Sequence, residues 1–349
     1  DTAGCGPLST VFTNTSVPND TGSINIMNFQ WDLGNGRSSS SIDTAMHYMA
    51  SLMKDTSYFI KLIGANEHGC IDSTEKSISV YPNPMADFIT DTTDGCGPLT
   101  VNFRNQSLPS DTGSIQIMNF RWNFGNGINS QVLDTQMVYF ASRVRDTMYT
   151  VRLIAESEHN CFDTMESQIR VYPDPTVIFN VTQASGCGPL STRFINNSSP
   201  NDTGSIFSMN FSWNLGNDST TIIRNPSAVY PASLTQDSLY LASLIGTTEH
   251  GCVDTFERNI RVYPAPYARF SINRRKACGP FTPIFNNHSI PNDTGSIDDM
   301  TFLWTLGNGN LTTRTEPSVT YQPSNQNDTF YQLSMVAYSE HGCTDTVYD

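Results

Sequence analysis

The hexapeptide Trp31–Gly36, WDLGNG, returns as WNFGNG from Trp122, WNLGND from Trp213 and WTLGNG from Trp304, each step being 91 residues. Four copies of one unit therefore follow each other without net insertion, and a fixed period of this length marks a repeat architecture. It overrides the two or three domains that 349 residues alone would suggest. A unit of about 90 residues is long enough to bury its own core. The boundaries implied are 1–82, with its first strand truncated, 83–173, 174–264, and 265–349, with its last strand truncated. Four full periods, 4 × 91, exceed the 349 residues present, so the expectation is a window on a longer array.

Charge narrows the partners. Lys and Arg number 19 against 33 Asp and Glu, a net charge of −14. An acidic surface repels nucleic acid and anionic membranes. No apolar run of about 18 residues is present, so no membrane insertion is expected, nor is there a charged leader before an apolar core. The uncharged polar residues, Ser, Thr, Asn and Gln, suit an exported protein.

The copy after Tyr81 reads as strands throughout. Tyr81-Pro82-Asn83-Pro84 recurs as Tyr172 to Pro175 and Tyr263 to Pro266. Pro82, Pro84, Pro173, Pro175, Pro264 and Pro266 thus make short, stiff junction hinges. Leu99, Val101 and Phe103 alternate as in a half-buried strand, and NQSLPSDTGSI supplies turn chemistry. Met118, Phe120, Trp122 and Phe124 share one face of a central strand ending in a Gly-rich turn. Trp31, Trp122, Trp213 and Trp304 are accordingly core anchors, not sugar-stacking platforms. Further strands at 137–140, at 148–157 and before the next hinge complete six or seven short strands, the pattern of an all-β sandwich.

Eight cysteines form two series, 5, 96, 187, 278 and 70, 161, 252, 343, each advancing by 91. In an exported, turn-rich chain this regularity argues for disulfides. Zinc binding by cysteine needs pairs two to four residues apart, and there are none.

These elements together resemble the PKD domain, an immunoglobulin-like sandwich: Pro84, Ala86 and Phe88 in the opening strand, CGPLTVNF, the Trp-x-Phe/Leu-Gly-Asn-Gly signature, the Tyr139 strand, and TVRLIAESEHNCFDT leading into IRVYP. The chain looks most like the tandem PKD-like arrays of giant Bacteroidota surface proteins, including gliding-motility adhesins of the type IX secretion system. The resemblance implies four tandem immunoglobulin-like domains arranged end to end as a rod. Two departures stand out. The family's W-D-F-G-D-G loses its carboxylates, with Asn123, Asn214 and Thr305 in place of Asp32, and with Asn35, Asn126, Asn217 and Asn308 later in the turn. A long connection, VPNDTGSINI at 17–26, also precedes each Trp strand.

In the topology that the resemblance implies, Cys96 lies at the C-terminal pole of its domain and Cys161 at the N-terminal pole. A strand of about eight residues, roughly 26 Å, would separate them, whereas a disulfide needs Cα atoms within about 7 Å. Facing poles in an array would instead juxtapose Cys5 with Cys161, Cys96 with Cys252, and Cys187 with Cys343, leaving Cys70 and Cys278 to pair outside the window. Pairing within a domain is the alternative.

Other candidates have plain readings. Glu67-His68 recurs at 158, 249 and 340, but no nucleophile or third ligand keeps fixed spacing to it, which favours a hairpin residue supporting the adjacent cysteine. Asn19, Asp20, Thr21 and Gly22, with Asp111, Asp202 and Asp293, offer one acid per copy. That is thin for calcium and favours an Asx turn bracing the loop. Asn14, Asn105, Asn196 and Asn287 head Asn-x-Ser sequons. Thr147, Thr164, Ser238 and Thr346 follow an Asp, similar to the O-glycosylation motif of Bacteroidota.

The reading is non-enzymatic, with no catalytic, cofactor-binding or metal residues and no cofactor. It describes an extracellular or cell-surface stalk segment of a long adhesin that projects a binding region or transmits force. Its partners are neighbouring repeats of the same chain, glycans or cell surfaces met through regions outside this window, and lateral copies. The alternatives are a carbohydrate-binding accessory array on a secreted hydrolase, or a self-assembling sheath.

Overall fold

Alternation of apolar and polar side chains dictates two-faced strands, and a computed structural model places them in sandwiches. The structure describes residues 2–19, 22–110, 115–202, 204, 206–293 and 295–349. It divides into two compact units, Asp1–Pro173 and Asp174–Asp349, each holding two repeats and two hydrophobic cores. Among the described residues there is no α-helix, only short 3-10 turns at Ile24–Ile26, Ile115–Ile117 and Ile297–Asp299. Among the described residues no helix is long and apolar enough to cross a membrane.

The second repeat gives the pattern. Phe88–Thr90, Leu99–Asn105 and Thr135–Tyr139 form one antiparallel sheet. The other contains Asn129–Ser130, Asn119–Asn123, Thr147–Glu156 and Phe162–Tyr172 in antiparallel order, closed by Asp94–Cys96 running parallel to Arg170–Tyr172. The stretch CGPLTVNF reads as one strand in the sequence, but the chain leaves one sheet at Cys96 and joins the other at Leu99, turning at Gly97-Pro98. Cys96 is therefore a strand residue beside Tyr172. The third repeat matches this arrangement in unit 2, with sheets of three and five strands.

Trp122 packs between the sheets, its ring 5.1 Å from Phe88 and 5.7 Å from both Phe103 and Phe124. All four Trp signature residues are buried. In the first three repeats the turn after the Trp holds by a side-chain amide or carboxylate in Asx geometry: Asp32 Oδ1 accepts from Gly34 N, and Asn123 and Asn214 do the same for Gly125 and Gly216. Asn therefore replaces Asp at no structural loss. Gly125 is obligatory, with φ +74° and a would-be Cβ 2.6 Å from Thr150 O.

A buried tyrosine ties the same turn to the opposite sheet. Tyr48 Oη donates to Leu33 O at 2.9 Å, Tyr230 Oη to Leu215 O at 2.6 Å, and Tyr321 Oη to Leu306 O at 2.9 Å. In the second repeat Tyr139 Oη is buried without a partner. Tyr230→Phe is thus expected to cost about 1 kcal/mol in urea unfolding and Tyr139→Phe close to nothing, because only the first removes a hydrogen bond. Burial, with a smaller contribution from the adjacent tyrosine, pushes the phenols of Tyr48, Tyr230 and Tyr321 from 10.0 up to about 12. Tyr139 is raised further, again mainly by burial. Because the folded pKa values are raised, this stability is complete below pH 10 and is lost as pH climbs from 10 through about 12. Absorbance at 295 nm should show late phenolate formation coinciding with loss of near-ultraviolet circular dichroism.

Candidate functional site: the repeat junctions

In the first three repeats a short parallel strand decides where the first cysteine lies. Ala3–Cys5 pairs with Ser79–Tyr81 so that Cys5 stands opposite Tyr81, the last residue before Pro82. Cys187 stands opposite Tyr263 in the same way. Both cysteines therefore sit at the C-terminal pole of their own repeat. Cys161 and Cys343 occupy the hairpin joining the last two strands of the following repeat, held by Ser157 N to Cys161 O and Ser339 N to Cys343 O.

Within unit 1 Cys5 is bonded to Cys161, with Cα atoms 5.5 Å apart. Within unit 2 Cys187 is bonded to Cys343, with Cα atoms 5.4 Å apart. Each bond joins one repeat to the next. Cys96 and Cys252 are disulfide-bonded as well, while Cys70 and Cys278 are free and exposed.

The connection between repeats is packed along its length. Pro82, Pro84, Pro173, Pro175, Pro264 and Pro266 are all buried, and in unit 1 the alternation continues without a break through Val80, Pro82, Pro84, Ala86 and Phe88. The second residue after each Pro-x-Pro is anchored by an acid from the last strand. Asp163 Oδ2 accepts from Ala86 N at 2.9 Å, Asp254 Oδ2 from Val177 N at 2.8 Å, and Asp345 Oδ2 from Ala268 N at 2.8 Å. These acids lie two residues after Cys161, Cys252 and Cys343, so the Cys-x-Asp segment serves both the cross-link and the connection. The sequence reading passed over them; their constant spacing of 77 residues to the accepted amide was the available signal.

The long loop also reaches the connection. Asn201 Nδ2 donates to Asp174 O at 2.9 Å, and Asn292 Nδ2 donates to Ala265 O at 3.0 Å. Both asparagines have positive φ, 61° and 59°. Asp20, Thr21 and Asp111 of the same motif lie outside the described residues, as do 112–114, 203, 205 and 294.

The Glu-His pair does more than support the cysteine. The His159 ring stacks on Tyr81 at 3.7 Å between centroids, and the His341 ring on Tyr263 at 3.6 Å. His159 Nε2 also lies 3.7 Å from Asp55 Oδ2 in the preceding repeat. Covalent bond, ring stack and histidine–carboxylate contact thus surround one connection. The sequon asparagines turn inward: Asn14, Asn105 and Asn196 are buried. Asn14, Asn105, Asn196 and Asn287 each cap the amide two residues on through Oδ1. Of the residues with an O-glycosylation-like context, Thr147 and Ser238 accept hydrogen bonds from Ser142 N and Ser233 N.

No protein-family model matches the chain, and no curated protein matches it. Among solved structures, the PKD1 domain of Vibrio anguillarum Epp is 28% identical over 26% of this chain and 93% of its own, with a TM-score of 0.21. The PKD1 domain of the Vibrio cholerae metalloprotease PrtV is 27% identical over 26% of this chain and 96% of its own, also at 0.21. The titin I-band fragment I67–I69 is 10% identical over 76% of this chain and 96% of its own, at 0.39. The sheets and cores described above make the chain an all-β tandem of immunoglobulin-like sandwiches, and its disulfides fit an oxidising, extracellular setting.

Two outcomes follow from the junction geometry. Asp254→Ala should cost about 1.5–3 kcal/mol, the range for a hydrogen bond to a charged group, and in hydrogen exchange it should expose Val177 N while leaving the Trp213 strand protected. Reducing the disulfides should speed exchange of Gly6 N and Gly188 N, which donate to Tyr81 O and Tyr263 O. At least tenfold is expected, because each cross-link contributes about 3–5 kcal/mol in the chain-entropy account.

Proposed function

We propose that the chain is a force-bearing stalk segment of a long secreted or cell-surface adhesin, a rod of PKD-like domains of the kind found in Bacteroidota surface arrays. It acts by projecting a binding region or transmitting tension and performs no chemistry. The observation that supports this most directly is the covalent route through the chain. Tension applied at the ends passes from Cys5 to Cys161 and from Cys187 to Cys343, each jump spanning a sequence separation of 156. Only the 25 residues between Cys161 and Cys187 bear load along the backbone between them. Cys96 with Cys252 would complete the series. Cys70 aligns with Cys161, and Cys278 with Cys187; their free thiols are the positions at which further repeats of the same chain would attach.

The glycan-binding reading finds less support. Exposed aromatics such as Phe59, Phe140, Phe162, Phe207 and Phe330 fall at non-equivalent positions of the 91-residue period, so they form no repeating platform. Lateral self-association would add a sheath role without changing the load path.

Pulling single oxidised chains by their termini tests the proposal. At roughly 3.4 Å per extended residue, the fully unfolded chain would lengthen to about 1,200 Å, whereas the cross-linked one should stop at about 120 Å. In reductant, four unfolding steps of about 300 Å each are expected. An oxidised chain that lengthens as far as the reduced one would refute the force-bearing role.

A further inference from the structure

The NDTG loop and the Glu-His hairpin, weak candidates when taken separately, meet in the fourth repeat. The Asp293 side chain is 0% exposed. Its Oδ1 accepts from Gly295 N at 3.0 Å, while its Oδ2 has no hydrogen-bond partner. Facing that oxygen is His341 Nδ1, 3.5 Å from Asp293 Oδ2 and 3.5 Å from Glu340 Oε1. One ligand atom from each of the three residues lies within 4.8 Å of the others. The His341 ring is held in place by its stack on Tyr263.

These distances suit a shared cation better than direct bonds. An N–H···O bond is about 2.9 Å, but donors placed about 2.05 Å from a tetrahedral zinc ion lie about 3.3 Å from one another. A buried carboxylate oxygen without a partner is costly unless a cation meets it. The loop packs closely against the hairpin here: a Cβ on Gly295 would fall 3.1 Å from Asp293 Oδ1 and 3.6 Å from Glu340 Oε1. The third repeat presents the same elements. Asp202 Oδ2 is buried without a hydrogen-bond partner, and a Cβ on Gly204 would lie 2.8 Å from Asp202 Oδ1 and 3.1 Å from Glu249 Oε1.

We propose that Asp293, Glu340 and His341 form a site for a divalent transition metal of the zinc class, with water completing the coordination. Imidazole with two carboxylates suits zinc, whereas calcium and magnesium favour all-oxygen sets. The bound ion ties the long loop to the hairpin that carries Cys343, bracing the junction beside the disulfide.

The test uses the full oxidised chain, stripped with chelator and dialysed against Zn²⁺, with bound metal counted by mass spectrometry and folding checked by near-ultraviolet circular dichroism. Asp293→Asn, which keeps an acceptor for Gly295 N, should bind one Zn²⁺ fewer per chain than the parent. Glu340→Gln, at an exposed position, should weaken that equivalent at least tenfold and decides the matter if Asp293→Asn misfolds. A parent that retains no Zn²⁺, or variants that bind as much as the parent, would overturn the site. Displacement of the Zn²⁺ by an equal concentration of Ca²⁺ would overturn the metal class.

Discussion

The position of one short parallel strand governs the junctions. By pairing Ala3–Cys5 alongside Ser79–Tyr81, and Ser185–Cys187 alongside Arg261–Tyr263, the fold carries the opening cysteine of the first and third repeats to the far end of each. A bond from there to the hairpin of the following repeat must cross the Pro-x-Pro connection. The connection is held from outside by the cross-link and from within by the aspartate that accepts from the second amide after the prolines. Rigid φ angles at proline, a satisfied backbone amide and a covalent tie all reduce the same freedom, that of one repeat swinging on the next.

Around that tie the repeats vary where variation is tolerated. The Trp indole N–H donates to Ser41 O and Val132 O in unit 1 but is buried without a partner at Trp213 and Trp304 in unit 2. The tyrosine bond to the signature turn is made in three repeats and missing in one. Such differences cost about a kilocalorie each and leave the sandwich intact. The junction elements recur with constant spacing, which is consistent with geometry there being set by a bond of fixed length.

Much of the fold was legible because strand alternation and a 91-residue period are local signals. Trp122, Phe120 and Val101 could be placed in a core from their spacing alone, and the 26 Å between Cys96 and Cys161 expected from topology bore on the cysteines. The less legible parts depended on contacts between elements distant in sequence. The Tyr81–His159 stack joins residues 78 positions apart, and the switch of sheet at Gly97-Pro98 divides what reads as one strand. The carboxylate, acid and imidazole of Asp293, Glu340 and His341 come from two motifs that look unremarkable until the loop folds back on the hairpin.

Non-reducing proteolysis followed by mass spectrometry tests the central claim, that the cross-links run between successive repeats, most directly. The account predicts linked peptides containing Cys5 with Cys161, Cys96 with Cys252, and Cys187 with Cys343, and free thiols at Cys70 and Cys278. A peptide linking Cys5 to Cys70, or Cys96 to Cys161, would place the bonds inside single repeats and contradict it.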